Sequence, residues 1–294
     1  MNAPRKAQGK RRSAFEGTRV KGQRSWRGVV EGKVQAVRVS SFKETTMSRS
    51  LPPEILDLII DHLRDEPTAL KTCCLVSKSW VPRTRKHLFA LVEFRAQESP
   101  VERWKKDFPV PSNSPAHHTR TLYIRYLPAL TDADTDAGGW IRTFHNVVNL
   151  HLERVIWEGP QSPIVPFHGF SLTIRSLNLV CTSFEVFDLI CSFPLLEDLG
   201  MVLLSTDATD GWTAPLTSPK LTGSLDLMMD AGGIGPAARR LLALPDGLHF
   251  TKIRVSCLSE EDAGATMDLV ASCFDTLESL SICYFLESEF HSAL

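Results

Sequence analysis

Residues 174–201 read IRSLNLVCTSFEVFDLICSFPLLEDLGM, and this stretch decides how the rest of the chain is understood. It carries one small pattern twice. Leu177 and Leu179 form a pair with Ile174 three residues before it, and Leu199 and Met201 form a pair with Leu196 three residues before it. Alternate residues of a strand face opposite sides, so each pair points one way and the residues around it, such as Asn178 and Asp198, point the other. Between the two pairs, Glu185–Phe193 reads as a helix that returns the chain to the start of the next strand.

Outward from this stretch the same pattern recurs. The pairs are Leu122/Ile124, Leu150/Leu152, Leu177/Leu179, Leu199/Met201, Leu225/Leu227, Ile253/Val255 and Leu280/Ile282, with steps of 28, 27, 22, 26, 28 and 27 residues. Three residues before each first member stand Thr119, Val147, Ile174, Leu196, Thr222, Phe250 and Leu277, five of them apolar. The period and the L-x-x-L-x-L spacing resemble a leucine-rich repeat. The Asn or Cys that such repeats carry three residues after each pair is missing: Leu127, Val155, Thr182, Leu204, Asp230, Leu258 and Phe285 occupy those positions. The expectation is an α/β fold whose residues 119–294 form an irregular leucine-rich-repeat solenoid with one parallel sheet. An ordinary α/β domain with regularly spaced strands is the alternative.

In that architecture the pairs fill the core and their neighbours line the concave face. The candidate substrate face is therefore Tyr123, Arg125, His151, Glu153, Asn178, Asp198, Asp226, Met228, Lys252 and Arg254. Helical returns are expected at Trp140–Val147, Glu185–Phe193, Pro236–Leu244 and Glu261–Phe274, and loops at Glu158–Ser171 and Thr206–Pro219. A repeat array needs a polar cap. Leu277, Leu280, Ile282, Phe285, Leu286 and Phe290 crowd the last unit, so its end is expected to be open and the solenoid truncated there.

Toward the N-terminus the chain changes character at Leu51–Phe89, LPPEILDLIIDHLRDEPTALKTCCLVSKSWVPRTRKHLF. Pro52–Arg64 reads as a helix, with proline in the first turn where its missing N–H costs nothing. At about 100° per residue, Leu58, Ile55, Ile59, Leu63, Leu56 and Ile60 fill an arc of roughly 200°. A helix resting on one core needs only about half of that. His62 falls inside the arc and reads as a packing residue. A second helix follows from about Thr68, and a third holds Trp80, Val81, Leu88 and Phe89 with Arg83, Arg85 and Lys86 on its wet side. Three short helices in so few residues are near the lower limit for a self-supporting fold, so the surplus arc asks for a partner.

Leu51-Pro52, Glu54-Ile55, Ile59, Leu63, Leu75-Val76-Ser77, Trp80 and Leu88-Phe89 together resemble an F-box, the module that docks a protein onto the Skp-type adaptor of cullin–RING ubiquitin ligases. What the resemblance implies is an all-α three-helix unit over residues 48–92 whose adaptor contacts are Leu51, Pro52, Ile55, Ile59, Leu75, Val76 and Trp80. Residues 93–118, with Pro100, Pro109, Pro111 and Pro115, read as a linker with a leading strand.

Composition is that of an ordinary globular chain, 43% hydrophobic and 23% charged over 294 residues. No apolar run is long enough to span a membrane and the start has no signal-peptide core. Seven cysteines without a framework suit a reduced, intracellular protein, cytoplasmic or nuclear. The net charge of −1 hides a split, because residues 1–46 hold twelve Lys/Arg against three Glu, a net of +9. Residues 1–47 therefore read as a disordered basic segment. Three origins for it stand open: a solvated tail, a targeting segment around Lys10-Arg11-Arg12, and sequence upstream of a true start at Met47.

Several stretches imitate chemical sites. Asp132-Ala-Asp134-Thr-Asp136 begins like a calcium loop but has Ala137 and Thr143 where Gly and a bidentate Glu belong. Gly233-Ile-Gly235-Pro-Ala-Ala238 imitates a dinucleotide turn, yet Lys252 and Arg254 stand near where the ribose-binding acid should be. His117-His118 lacks partners at metal spacing. No catalytic constellation, cofactor site, metal site or nucleic-acid motif emerges. The F-box and repeat combination resembles the large F-box families of mushroom-forming fungi. What this implies is a non-enzymatic substrate receptor of an SCF-type ligase, reaching a cullin through the adaptor and holding an unidentified protein substrate. A scaffold working outside ubiquitin transfer, and a nucleotide-binding enzyme built on the Gly233–Ala238 turn, are the alternatives.

Overall fold

The computed structural model describes residues 51–95, 100–125, 140–154, 172–180, 186–202, 216–228, 234–256 and 262–283. The basic segment 1–47, the calcium-like run at 132–136, most of the two proline-bearing loops and residues 284–294 lie outside the described residues. Residues 51–294 form one compact unit of mixed α/β type.

Three helices come first: α1, Pro53–His62; α2, Pro67–Val76; and α3, Val81–Leu88. Each has a proline in its first turn, where φ near −65° is already helical and no hydrogen bond is lost. Between α2 and α3 a short 3-10 turn, Lys78–Trp80, is capped by the Ser77 hydroxyl, which accepts from the Ser79 amide. The small core of this region is built from Ile60, Leu70 and Cys73, all buried. Thr84, fully covered, donates to the Trp80 carbonyl at 2.8 Å. Asp61 on α1 ties the outer helices together: it accepts from Arg83 and meets His87 Nε2 at 2.7 Å, both on α3. This pairing holds the Asp61 carboxyl well below the usual carboxylate range, Arg83 contributing most.

Strands follow in a single series: β1, Leu91–Arg95; β2, Thr121–Arg125; β3, Asn149–Glu153; β4, Ser176–Val180; β5, Asp198–Val202; β6, Ser224–Met228; β7, Lys252–Ser256; and β8, Ser279–Cys283. Among the described residues these make one eight-stranded sheet in which spatial order equals chain order. Every neighbouring pair is parallel. Register aligns the apolar positions into two continuous rows. One runs Val92, Leu122, Leu150, Leu177, Leu199, Leu225, Ile253 and Leu280; the other runs Phe94, Ile124, Leu152, Leu179, Met201, Leu227, Val255 and Ile282. From β1 to β7 both rows are buried. On β8, at the sheet's edge, Leu280 is 44% exposed.

The described segments between strands lie against this apolar side. They include a 3-10 turn at Trp140–Thr143 and three helices, α5 (Val186–Cys191), α6 (Gly235–Leu242) and α7 (Ala263–Ser272), preceded near the first strand by α4 (Pro100–Asp107). Thus α4 and β1 lie across the region read as linker, and the strand pattern begins one unit earlier than Leu122. The return at Trp140–Val147 is a tight 3-10 turn with a loop rather than an α-helix. At the sixth unit Thr222 is exposed, and its upstream core position is taken instead by Leu221, fully buried and bridged to Leu248.

The helical region and the sheet meet through aromatic rings. Phe89, closing α3, stands 6.2 Å from both Trp104 and Phe108 of the α4 region in edge-to-face geometry. Trp104 continues to Phe94 on β1 at 5.7 Å, and Phe94 to Trp140 at 4.9 Å. Such pairs add about 0.5–1.5 kcal/mol each beyond their burial.

Candidate functional site

Two surfaces hold the residues singled out by sequence. The first is the outer face of the helices. Leu51 is 51% exposed, Ile55 43%, Leu58 57% and Ile59 41%, while Ile60 on the same helix is 1% exposed. The arc of α1 is therefore split, with one side spent on the helical core and the other open. His62 lies on the open side and is exposed, which corrects its reading as a packing residue. A helical residue's neighbours are those three and four positions away, so Ile55, Leu58, Ile59 and His62 make one continuous stripe. Leu75 and Val76 at the end of α2 are 87% and 61% exposed, Pro52 is exposed, and Trp80 is half-buried. Of the seven residues expected to contact an adaptor, six are thus substantially open to solvent.

The second surface is the polar face of the sheet, on which all ten candidate residues lie. Register arranges them in three rows. Tyr123, His151, Asn178, Asp226 and Arg254 share the middle row with Glu93, Gly200 and Ser281. Arg125, Glu153 and Met228 share a flanking row with Arg95, Val180 and Val202, and Asp198 and Lys252 belong to the other flank.

The first three strands carry a charge ladder. Arg125 Nε lies 3.0 Å from Glu93 Oε1 and 3.2 Å from Glu153 Oε2, and Arg95 reaches Glu93 Oε2 at 2.8 Å. The Tyr123 and His151 rings stack at 4.1 Å and 14°, with the Arg125 guanidinium 5.3 Å above Tyr123. Burial pushes the His151 pKa down, and the Arg125 cation adds to this. Farther along, Asp198 is committed to structure: its Oδ1 accepts from the Ser224 amide at 2.7 Å and its hydroxyl at 2.6 Å. This approach leaves no room for a side chain at Gly223, where an added Cβ would also come 3.0 Å from the Glu197 carbonyl oxygen. Asp226 pairs with Arg254 at 3.4 Å.

Of the Gly233–Ala238 run, the residues from Ile234 onward are described, and they open α6. Asp262, 5% exposed, accepts from the Gly235 amide at 2.7 Å at the start of α6. A carboxylate from the chain itself thus occupies the helix N-terminus, where a phosphate would otherwise bind. The rings of His117 and His118 lie 3.9 Å apart, tilted by 50°. Among the described residues, no three His, Cys, Asp or Glu side chains are grouped to hold a metal ion, five cysteines are free, and no helix is long and apolar enough to cross a membrane.

Comparison with protein-family models, curated proteins and solved structures finds no match.

Sequence reasoning missed Glu93 and Arg95 because β1 was not recognised as a repeat strand. The signal was present. Phe89, Val92 and Phe94 stand in the same apolar spacing as Leu196, Leu199 and Met201, with aromatic and β-branched residues in place of leucine.

Proposed function

We propose that this chain is a substrate-receptor subunit of an SCF-type cullin–RING ubiquitin ligase, its helical region an F-box and its sheet a degenerate leucine-rich-repeat array. The observation that carries this reading is the open apolar stripe of Leu51, Ile55, Leu58 and Ile59 on the first helix, together with the exposed Leu75 and Val76 at the end of the second. Contiguous exposed apolar surface of this kind marks a protein interface. Leu51, Ile55, Ile59, Leu75 and Val76 stand at the positions through which, by resemblance, an F-box grips a Skp-type adaptor. The polar face of the sheet, with its mixture of charges, rings and Met228, is the surface offered to a protein substrate.

Such a subunit acts by proximity. One face holds the adaptor and through it the cullin, and the other holds the substrate, so ubiquitin transfer to the substrate becomes a local event. No side chain of this chain needs to make or break a bond. The test is co-purification with a Skp-type adaptor. Ile59→Asp, and Leu51→Ala with Pro52→Ala, are expected to weaken adaptor binding at least about tenfold, the equivalent of about 1.4 kcal/mol. Full retention of the adaptor by both variants would refute the reading.

A further inference from the structure

Where the helices meet the sheet, basic side chains collect without acidic partners. The turn Pro115–His118 packs against α3, placing His118 within the field of Arg85 and Lys86 and His117 next to it. Arg85, Lys86 and His117 are exposed and His118 is half-buried. Neither Arg85 nor Lys86 has an ion pair among the described residues. The other basic groups of α3 are engaged elsewhere, Arg83 and His87 both by Asp61. Around the turn, His117 Nδ1 meets the Ser114 carbonyl at 2.9 Å, Asn146 donates to the His117 carbonyl at 2.7 Å, and Arg120 reaches the Asn146 carbonyl at 3.4 Å. Burial, His117, Arg85 and Lys86, in that order, push the His118 pKa down, and no carboxylate is among the groups acting on it.

This island stands on an acidic background. With −1 overall and +9 in residues 1–46, the remaining residues carry −10. Arg85 and Lys86 point about 100° apart around their helix, and the histidines sit on a separate element. The positive charge is therefore spread over a surface instead of converging on one point. A single phosphate is best held by convergent donors, such as a guanidinium fork or a nest of amides. A run of carboxylates matches a spread of separate cations.

We propose that Arg85, Lys86, His117 and His118 form a docking patch for an acidic polypeptide segment, rich in Asp and Glu, at the junction of the helices and the sheet. It does not depend on the adaptor reading. A bound run of carboxylates favours the protonated imidazole, so docking takes up a proton at His118 and tightens as pH falls toward 6.

The test uses the full chain and a hexaglutamate peptide at about 50 mM salt, where surface charges are weakly screened. The readout is the His118 ring resonance, which reports at the patch itself. Hexaglutamate is expected to move the resonance, with apparent affinity at least about threefold higher at pH 6 than at pH 7.5. Arg85→Glu with Lys86→Glu, both exposed and leaving the melting temperature unchanged, is expected to weaken that response about tenfold or more. His118→Gln, followed at His117, is expected to reduce the pH dependence while preserving binding at pH 7.5. The proposal fails if hexaglutamate leaves His118 unmoved, if the charge-reversed variant responds like the wild type, or if His118→Gln leaves the pH dependence at its wild-type size. It fails equally if sodium phosphate or phosphatidylserine vesicles move the resonance and hexaglutamate does not.

Discussion

Ile59 on α1 is 41% exposed, whereas Ile124 on β2 is fully covered, although each belongs to a dense apolar pattern. In the sheet every apolar pair from β1 to β7 is buried and matched by a neighbouring strand. In the helices the supply of apolar side chains exceeds what three short elements can bury among themselves. The contrast separates two uses of one residue type: in the strands it holds the fold, and on the outer face of α1 it is surface held in reserve.

Truncation at the two places probes this contrast most strongly. Leu152→Ala in the fully buried row is expected to cost about 2–5 kcal/mol and lower the melting temperature accordingly. Ile59→Asp should leave the melting temperature nearly unchanged, since exposed substitutions stay within about 0.5 kcal/mol. Comparable losses at both sites would mean that the α1 stripe is core after all.

A smaller effect is expected from filling space next to the polar face. Gly223→Ala places a methyl group against Asp198 and the Glu197 carbonyl, and overpacking of this kind costs about 1–3 kcal/mol. Chemical denaturation would measure it, and a neutral result would mean that Asp198 swings away freely.

Acid should then distinguish the two regions. Asp61 has its pKa depressed by Arg83 and His87, so its contribution is complete above the ordinary carboxylate value near 4 and is lost as pH falls below it. His151 is held neutral by burial, so the unfolded chain binds its proton first and the sheet loses stability as pH falls through about 6.5. Amide exchange is expected to show β3 loosening between pH 7 and 5, and α1 only at lower pH. Asp61→Asn and His151→Gln should each remove their own step alone. The smallest effect is a gain: Gly264, in the first turn of α7, faces open space, and Gly264→Ala should stabilise by about 0.5–1 kcal/mol in the same melts.

Strand positions were legible because a pair of apolar residues at spacing two is a local signal, repeated at nearly constant intervals. Its limits were local as well. Val92 and Phe94 escaped because they are not leucines and run directly into a segment whose prolines, Pro100 to Pro115, suggest a linker. At Thr222 the core residue is displaced by one position to Leu221, which a fixed spacing cannot anticipate. The open stripe of α1 was legible from its surplus arc, although His62 shows that membership of an arc does not tell which side is covered. The ladder joining Arg95, Glu93, Arg125 and Glu153 was beyond reach, because it depends on register between strands that are 28 or more residues apart in sequence.

Because spatial order in the sheet equals chain order, each strand pairs only with those that precede and follow it in sequence. Among the described residues no strand has a remote partner to find. A strand can form on the one synthesised before it, and assembly can advance from Leu91 onward as the polypeptide is made. The same order governs mechanical failure. A pull applied to the β8 end meets one seam of hydrogen bonds at a time, so the sheet should come apart as a sequence of small steps, the last strand first.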